Sequence, residues 1–150
     1  MAFNLGNKIA VMGVINITPD SFSDGGLYMN PLKAVERARQ QLKEGVSVLD
    51  LGAQSTRPGA DYIESDEEWK RLHPALKAIR AEFPFALISV DTFSSVVALK
   101  AIELGANWIN DISGGNRDPD IVKVVSDANC PYVITHSRGT SKSMNQLSNY

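Results

Sequence analysis

The polar residues of this chain gather where apolar runs end, and their types define the chemistry each place can carry. The stretch Met12-Gly13-Val14-Ile15-Asn16-Ile17-Thr18-Pro19-Asp20-Ser21-Phe22-Ser23-Asp24-Gly25-Gly26 is an apolar run passing into a polar loop with carboxylates, an aromatic and a Gly pair. Phe22 has no apolar neighbours within that loop, so it either folds back on the core or closes over a ligand. The loop is longer than a connection needs, which favours a lid over an ordinary turn. Gly52-Ala53-Gln54-Ser55-Thr56-Arg57-Pro58-Gly59 again follows an apolar run. Its hydroxyls, single Arg and glycines offer an anion or phosphate what it needs: donors, a fixed cation and close backbone approach. A mere turn is an equally good reading of this stretch alone.

Ser89-Val90-Asp91-Thr92 and Ile109-Asn110-Asp111-Ile112 put a carboxylate and an amide at the ends of apolar runs. Together these groups can bind a planar heterocycle bearing an amino group and ring N–H donors. From spacing alone, Asp91 could equally cap the helix that follows it, and Asp111 is expected to make a structural contact. His136 is a ligand, a base or a residue simply satisfied by its neighbours. His73, just before Pro74 on a helix, is expected to be structural.

These residues need a frame. Ile9–Ile15, Val46–Leu51, Phe85–Val90, Asn107–Ile109 and Tyr132–Thr135 read as strands buried on both faces, because they barely alternate. Asn30 caps a helix that starts at Pro31, closes at Gly45 and turns Leu32, Val35, Ala38 and Leu42 inward. Ser65-Asp66-Glu67-Glu68 is a capping box opening a helix with Trp69, Leu72, Leu76 and Ile79 at helical spacing. Pro74 is expected to kink or break that helix. A third helix runs from about Ser94 to Leu104 and stops at Gly105; a fourth starts at Asp118-Pro119 and carries Ile121, Val122 and Val125.

The class is therefore α/β with a parallel sheet. There is a faint repeat: Gly45 precedes Asp50 as Gly105 precedes Asn110. Asn16, Asp50, Asp91, Asn110 and His136 fall at carboxyl ends of strands, on the rim where parallel sheets bind ligands. Two architectures fit. One is a doubly wound five-stranded sheet; the other is part of a (β/α)₈ barrel, which needs ~250 residues, or about 31 per unit. Periodicity does not decide between them.

Composition narrows the classes. With 150 residues, 43% hydrophobic, the chain has the make-up of a globular domain with a real core. The 15 Lys+Arg against 17 Asp+Glu and the absence of a basic run argue against nucleic acid as a partner. The single Cys130 excludes an internal disulfide or thiolate-rich metal site and suits a reducing compartment. The apolar runs are too short to span a bilayer. Met1–Asn7 has no secretory pattern, so a cytoplasmic location without membrane contact is expected.

Taken together, the chain resembles the amino-terminal part of the dihydropteroate synthase family. The stretch Gly13 to Gly26 carries the likeness most specifically. Ser55-Thr56-Arg57-Pro58-Gly59, Val90-Asp91-Thr92 and Ile109-Asn110-Asp111-Ile112 then follow in family order. The resemblance runs from about Ile9 to Tyr150. It implies that residues 1–150 are a pterin-binding domain, the amino-terminal portion of an incomplete (β/α)₈ barrel of about five strands and four helices. The implied activity is a transferase of folate biosynthesis, a sulfonamide target. It condenses 6-hydroxymethyl-7,8-dihydropterin diphosphate with 4-aminobenzoate to give dihydropteroate and diphosphate.

Carried over residue by residue, the resemblance implies that Asn16 coordinates Mg²⁺ together with the diphosphate. Asp91 and Asn110 would bind the pterin ring, with Ile112 against its face. Thr56 and Arg57 would meet the diphosphate, and Arg57 would join Asp91 and Asn110 as catalytic residues. Phe22, Asp24 and Pro58 would belong to two loops that assemble the 4-aminobenzoate site. Thr135-His136-Ser137-Arg138-Gly139 resembles the family's fifth-strand segment. Gln54 stands where many bacterial members have Glu.

The family completes its pocket with an Asp, a Lys and an Arg after the sixth, seventh and eighth strands, which this sequence does not contain. The 150-residue chain is thus expected to be inactive alone, and the full-length form to be a homodimer. A pterin-binding methyltransferase of the folate/corrinoid type is the alternative enzyme, and a non-catalytic remnant the alternative outside catalysis. The segment Asn16–Gly26 argues against the methyltransferase, which needs no diphosphate-and-Mg²⁺ loop.

Overall fold

The computed structural model describes residues 9–17, 30–54 and 62–136. Strands and helices alternate along them: β1 (Met12–Asn16), α1 (Pro31–Lys43), β2 (Val48–Gly52), α2 (Ser65–Glu82), β3 (Leu87–Asp91), α3 (Ser95–Glu103), β4 (Trp108–Asp111), α4 (Asp120–Asp127) and β5 (Tyr132–Ile134). The strands are all parallel and form one sheet in the order β1-β2-β3-β4-β5. That order separates the two architectures. A doubly wound sheet reverses its winding at a switch point, so its strands are not in chain order. Here each strand adds beside the one before it, and right-handed crossovers then place every helix on the same face. Accordingly α1 packs on α2, α2 on α3 and α3 on α4. This is the winding of a (β/α) barrel, with five strands and four helices of it.

Local chemistry explains most helix ends. The Asn30 side chain accepts from the Leu32 amide at 2.9 Å, and Pro31 begins α1. Ser94 caps α3 by accepting from the Val97 amide at 3.3 Å. Gly45 and Gly105 follow α1 and α3 with φ of +94° and +100°, a backbone that side chains resist.

The start of α2 departs from expectation. No side chain caps it, and Ser65 instead shares a 2.8 Å hydrogen bond with Ser94. Glu68, the other half of the expected capping box, is turned into the interior, where Gln54 donates to it at 3.0 Å. Pro74 does not break α2, which runs on to Glu82. The proline lies on the exposed face, where water can take the carbonyl left without a helical partner.

The core lies between sheet and helices. Ile15, Leu49, Leu51, Ile88, Val90 and Ile109 point at Leu72, Leu76, Ile79, Val97 and Ile121, all buried. On α1 the buried residues include Ala34, Val35 and Ala38, whereas Leu32 is exposed. Burial on both faces holds for all of β2 and the middle of β3, but not for β1, where Val14 is exposed. As an edge strand, β1 has a neighbour on one side only. Strand bounds also shift. Ile9 is exposed ahead of β1, Phe85 is 97% exposed in a turn after Pro84, and Asp50 lies inside β2 rather than at its end.

Candidate functional site

Register brings the polar strand residues together. Asn16, Gly52, Asp91 and Asn110 are partners across β1, β2, β3 and β4, so they share one face and one level. That face is opposite the helices. One level below, Val14, Asp50, Ser89 and Trp108 form a second row. The upper row is at the carboxyl ends of the strands, the end at which barrels bind ligands.

Asp91 is half-buried, and no described residue donates a hydrogen bond to it. Gly52 leaves it room: a Cβ there would sit 3.3 Å from Asp91 Oδ2. Burial first, then the charges of Asp50, Glu68 and Asp111, push the Asp91 carboxyl up to about 7. The capping alternative fails, because Ser94 performs that task for α3. Among the described residues Asp91 is therefore an acceptor without a donor. Beside it, Asn110 donates from Nδ2 to Asp50 Oδ2 at 3.1 Å.

Around this pair, the stem of the segment after β2 is tied down. The Gln54 amide nitrogen donates to the Ile63 carbonyl at 2.9 Å and to Glu68, while its oxygen accepts from the Ile63 amide at 3.2 Å. Burial raises the Glu68 carboxyl, against hydrogen bonds from Thr92 and Gln54 that lower it. Tyr62 meets the Phe93 ring edge-on, centroids 5.3 Å apart, and the Arg117 guanidinium lies 3.4 Å over Tyr62 and 4.9 Å from Phe93. Neither cluster is visible in the sequence, since its members sit in different elements and loops without fixed spacing. Of the clamp, the sequence marked Gln54 only as the position where many bacterial members of the resembling family have Glu.

Asp111 is structural, as expected. It is fully buried and accepts from the amides of Ser113 at 2.7 Å and Gly115 at 2.8 Å, and from the Tyr132 hydroxyl at 2.5 Å. Gly114 and Gly115 shape the turn with positive φ. Ile112 is half-buried at the head of that turn, His136 is exposed after β5, and His73 packs against Trp69 on α2. Phe22, Asp24, Thr56, Arg57 and Pro58 lie outside the described residues.

Among the described residues no group of three or more His, Cys, Asp or Glu could hold an ion. Asn16 offers one amide oxygen at the exposed end of β1. That donor set does not make a cage. It fits a Mg²⁺ whose remaining ligands are water and phosphate oxygens, the usual arrangement for that ion.

Parallel strands wound as a barrel, with a carboxylate and an amide side by side at their carboxyl ends, define a barrel protein whose polar pair sits on the rim where that class binds ligands. The family model described as pterin binding enzyme matches residues 12–150, and the chain belongs to that family. It is 50% identical over 149 residues to the folate synthesis bifunctional protein of Arabidopsis thaliana, covering 98% of this chain and 31% of that protein. The dihydropteroate synthase of Clostridium difficile, solved in the presence of pteroic acid, superposes with a TM-score of 0.86. It is 37% identical, over 91% of this chain and 52% of that one. That of Xanthomonas albilineans, solved with 4-aminobenzoic acid, gives 0.81 at 38% identity, over 89% of this chain and 48% of that one. The chain thus corresponds to the amino-terminal portion of dihydropteroate synthases and spans about half the length of those two enzymes. Among the described residues no helix is long and apolar enough to cross a membrane.

Proposed function

We propose that this chain is the pterin-diphosphate-binding portion of a dihydropteroate synthase, joining 6-hydroxymethyl-7,8-dihydropterin diphosphate to 4-aminobenzoate. The observation that carries this is the register pairing of Asp91 with Asn110, with no donor to Asp91 among the described residues. The ring lies against this pair at the strand ends, with Ile112 beside it. Asp91 accepts the ring's N–H and amino protons.

In the reaction the C–O bond to diphosphate breaks, and the methylene carbon becomes cationic by delocalisation into the ring. The arylamine nitrogen then bonds to that carbon and loses a proton. Asp91, held near the ring in a half-buried setting, stabilises the positive charge as it develops. Mg²⁺, held by Asn16 and the diphosphate, would supply charge neutralisation of the leaving group. Thr56 and Arg57 donate to the diphosphate oxygens. Phe22, Asp24 and Pro58 form the arylamine side and exclude water. The relatives solved with pteroic acid and 4-aminobenzoic acid support both substrate classes.

Calorimetric titration of the chain and of Asp91→Asn with the pterin diphosphate tests this reading. Losing a charged hydrogen-bond acceptor costs ~1.5–3 kcal/mol, a tenfold or greater loss of affinity. Equal affinity of the two proteins would refute the ring-binding role.

A further inference from the structure

We propose that Asp50 is a positioning residue that holds the Asn110 amide with its carbonyl turned to the ring, so that this edge of the site selects ligands presenting N–H donors. The proposal rests on the pterin reading and extends it to how the ring is told from its analogues.

An asparagine amide is ambiguous. Rotating it by half a turn exchanges donor for acceptor, and a site reading a ring through a free amide accepts either edge. Here the ambiguity is removed from below. Asp50 lies one level beneath Asn110 and is only 4% exposed. Its Oδ2 accepts from Asn110 Nδ2 at 3.1 Å. A carboxylate oxygen accepts, so Asp50 Oδ2 takes the NH₂ end of the amide and leaves the carbonyl end free of it. The planar amide then turns Oδ1 away from Asp50.

Among the described residues no other group competes for this task. Asp50 Oδ1 is buried without a partner, and so is the hydroxyl of Ser89, its register neighbour on β3. Among the described residues Asn110 is the hydrogen-bond partner of Asp50, and none donates to Asn110 Oδ1. The upper row therefore offers the ring two adjacent acceptors, the Asp91 carboxylate and the Asn110 carbonyl. A 2-amino-4-oxo heterocycle carries an amino group next to a ring N–H and is complementary to both. Replacing the amino group by a carbonyl sets acceptor against acceptor, which buried sites reject strongly.

The test uses two rings, pterin and lumazine (2,4-dioxopteridine), titrated into the chain. The wild type should prefer pterin by roughly tenfold or more. Asp50→Asn keeps the shape but permits either orientation of the Asn110 amide, and the preference should collapse. The exchange variant Asp50→Asn/Asn110→Asp puts a carboxylate in the upper row, one oxygen held by the new amide below, and should restore it. A preference that collapses in Asp50→Asn while the urea midpoint holds is the outcome a merely structural Asp50 would not give. A preference unchanged in Asp50→Asn, or not restored by the exchange, overturns the assignment. A wild type that takes neither ring overturns the pterin reading and with it this extension. Should Asp50→Asn not fold, proton exchange of the Asn110 side-chain amide in the ¹⁵N-labelled wild type gives a ligand-free measurement. Slow exchange relative to exposed asparagines supports the anchor, and equally fast exchange refutes it.

Discussion

Asp91→Asn should make this protein more stable at pH 8 while weakening its hold on the ring. In the folded chain the Asp91 carboxyl is pushed from its ordinary 3.8 up to about 7, by burial and by Asp50, Glu68 and Asp111. Between about pH 4 and 7 the unfolded chain has therefore lost a proton that the folded chain keeps. Stability falls as pH rises wherever the native state binds more protons, so it falls through this window and levels off above about 7. At ~1.4 kcal/mol per tenfold the ceiling on this loss is ~4 kcal/mol. Solvent reaching the half-buried carboxylate screens it, leaving roughly 2–3 kcal/mol as the expected penalty. Asparagine carries no charge at any of these pH values and resembles the protonated acid in size. Urea denaturation of both proteins at pH 5 and pH 8 should give similar midpoints at pH 5 and a clear advantage to the variant at pH 8. A gap that is the same at both values, or a wild type favoured at pH 8, would refute the argument. Ring binding, which uses the ionised form, should weaken as pH falls below about 7.

Gln54→Ala removes both bonds to Ile63 and the donor to buried Glu68. It should cost roughly 1–3 kcal/mol, seen as a lower urea midpoint, and an unchanged midpoint would contradict the clamp. Arg80 donates to the carbonyls of Pro84, Ala86 and Gly105 and to Asn107 Oδ1. A lysine ammonium cannot reach across that fork, so Arg80→Lys should lower the midpoint by ~1–3 kcal/mol, and full retention would show the fork to be dispensable. Incubated with both substrates and Mg²⁺, the 150-residue chain should release no diphosphate above background, since the resemblance places three further pocket residues beyond its fifth strand. Turnover at an ordinary enzyme rate would overturn that expectation.

The features legible in the sequence are those settled by neighbours in the chain. Asn30-Pro31, Gly45 and Gly105 act within a few residues of themselves, and the structure uses each as read. Glu68 shows where local rules stop. Ser65-x-x-Glu68 satisfies the capping pattern, yet the glutamate has a tertiary partner in Gln54, and one side chain cannot serve both. Phe85 fails in the opposite sense: an apolar residue beside Pro84 reads as strand, but the turn between α2 and β3 leaves it in solvent. The direction of winding lies in strand order, which periodicity does not encode, so only the resemblance pointed to a barrel before the structure did.

The site divides along the same line. Asp91 and Asn110 stand out because each ends or nearly ends a strand, a one-dimensional property. The pairing of Asn110 with Asp50 joins residues 60 positions apart and depends on register, so the sequence offered Asp50 as a rim residue without its task. Among the described residues, Asp91 and Asp111 show the difference between a carboxylate left to a ligand and one that serves the fold. Asp111 is as buried as any residue here, but two amides and a tyrosine hydroxyl satisfy it, and it serves the fold. Asp91 lies among three other carboxylates with no donor from the described residues, an arrangement that opposes folding whenever it is ionised. A ring that brings N–H donors and positive charge supplies what the protein withholds, so the strain at Asp91 is relieved by the ligand that the acceptor row is built to take.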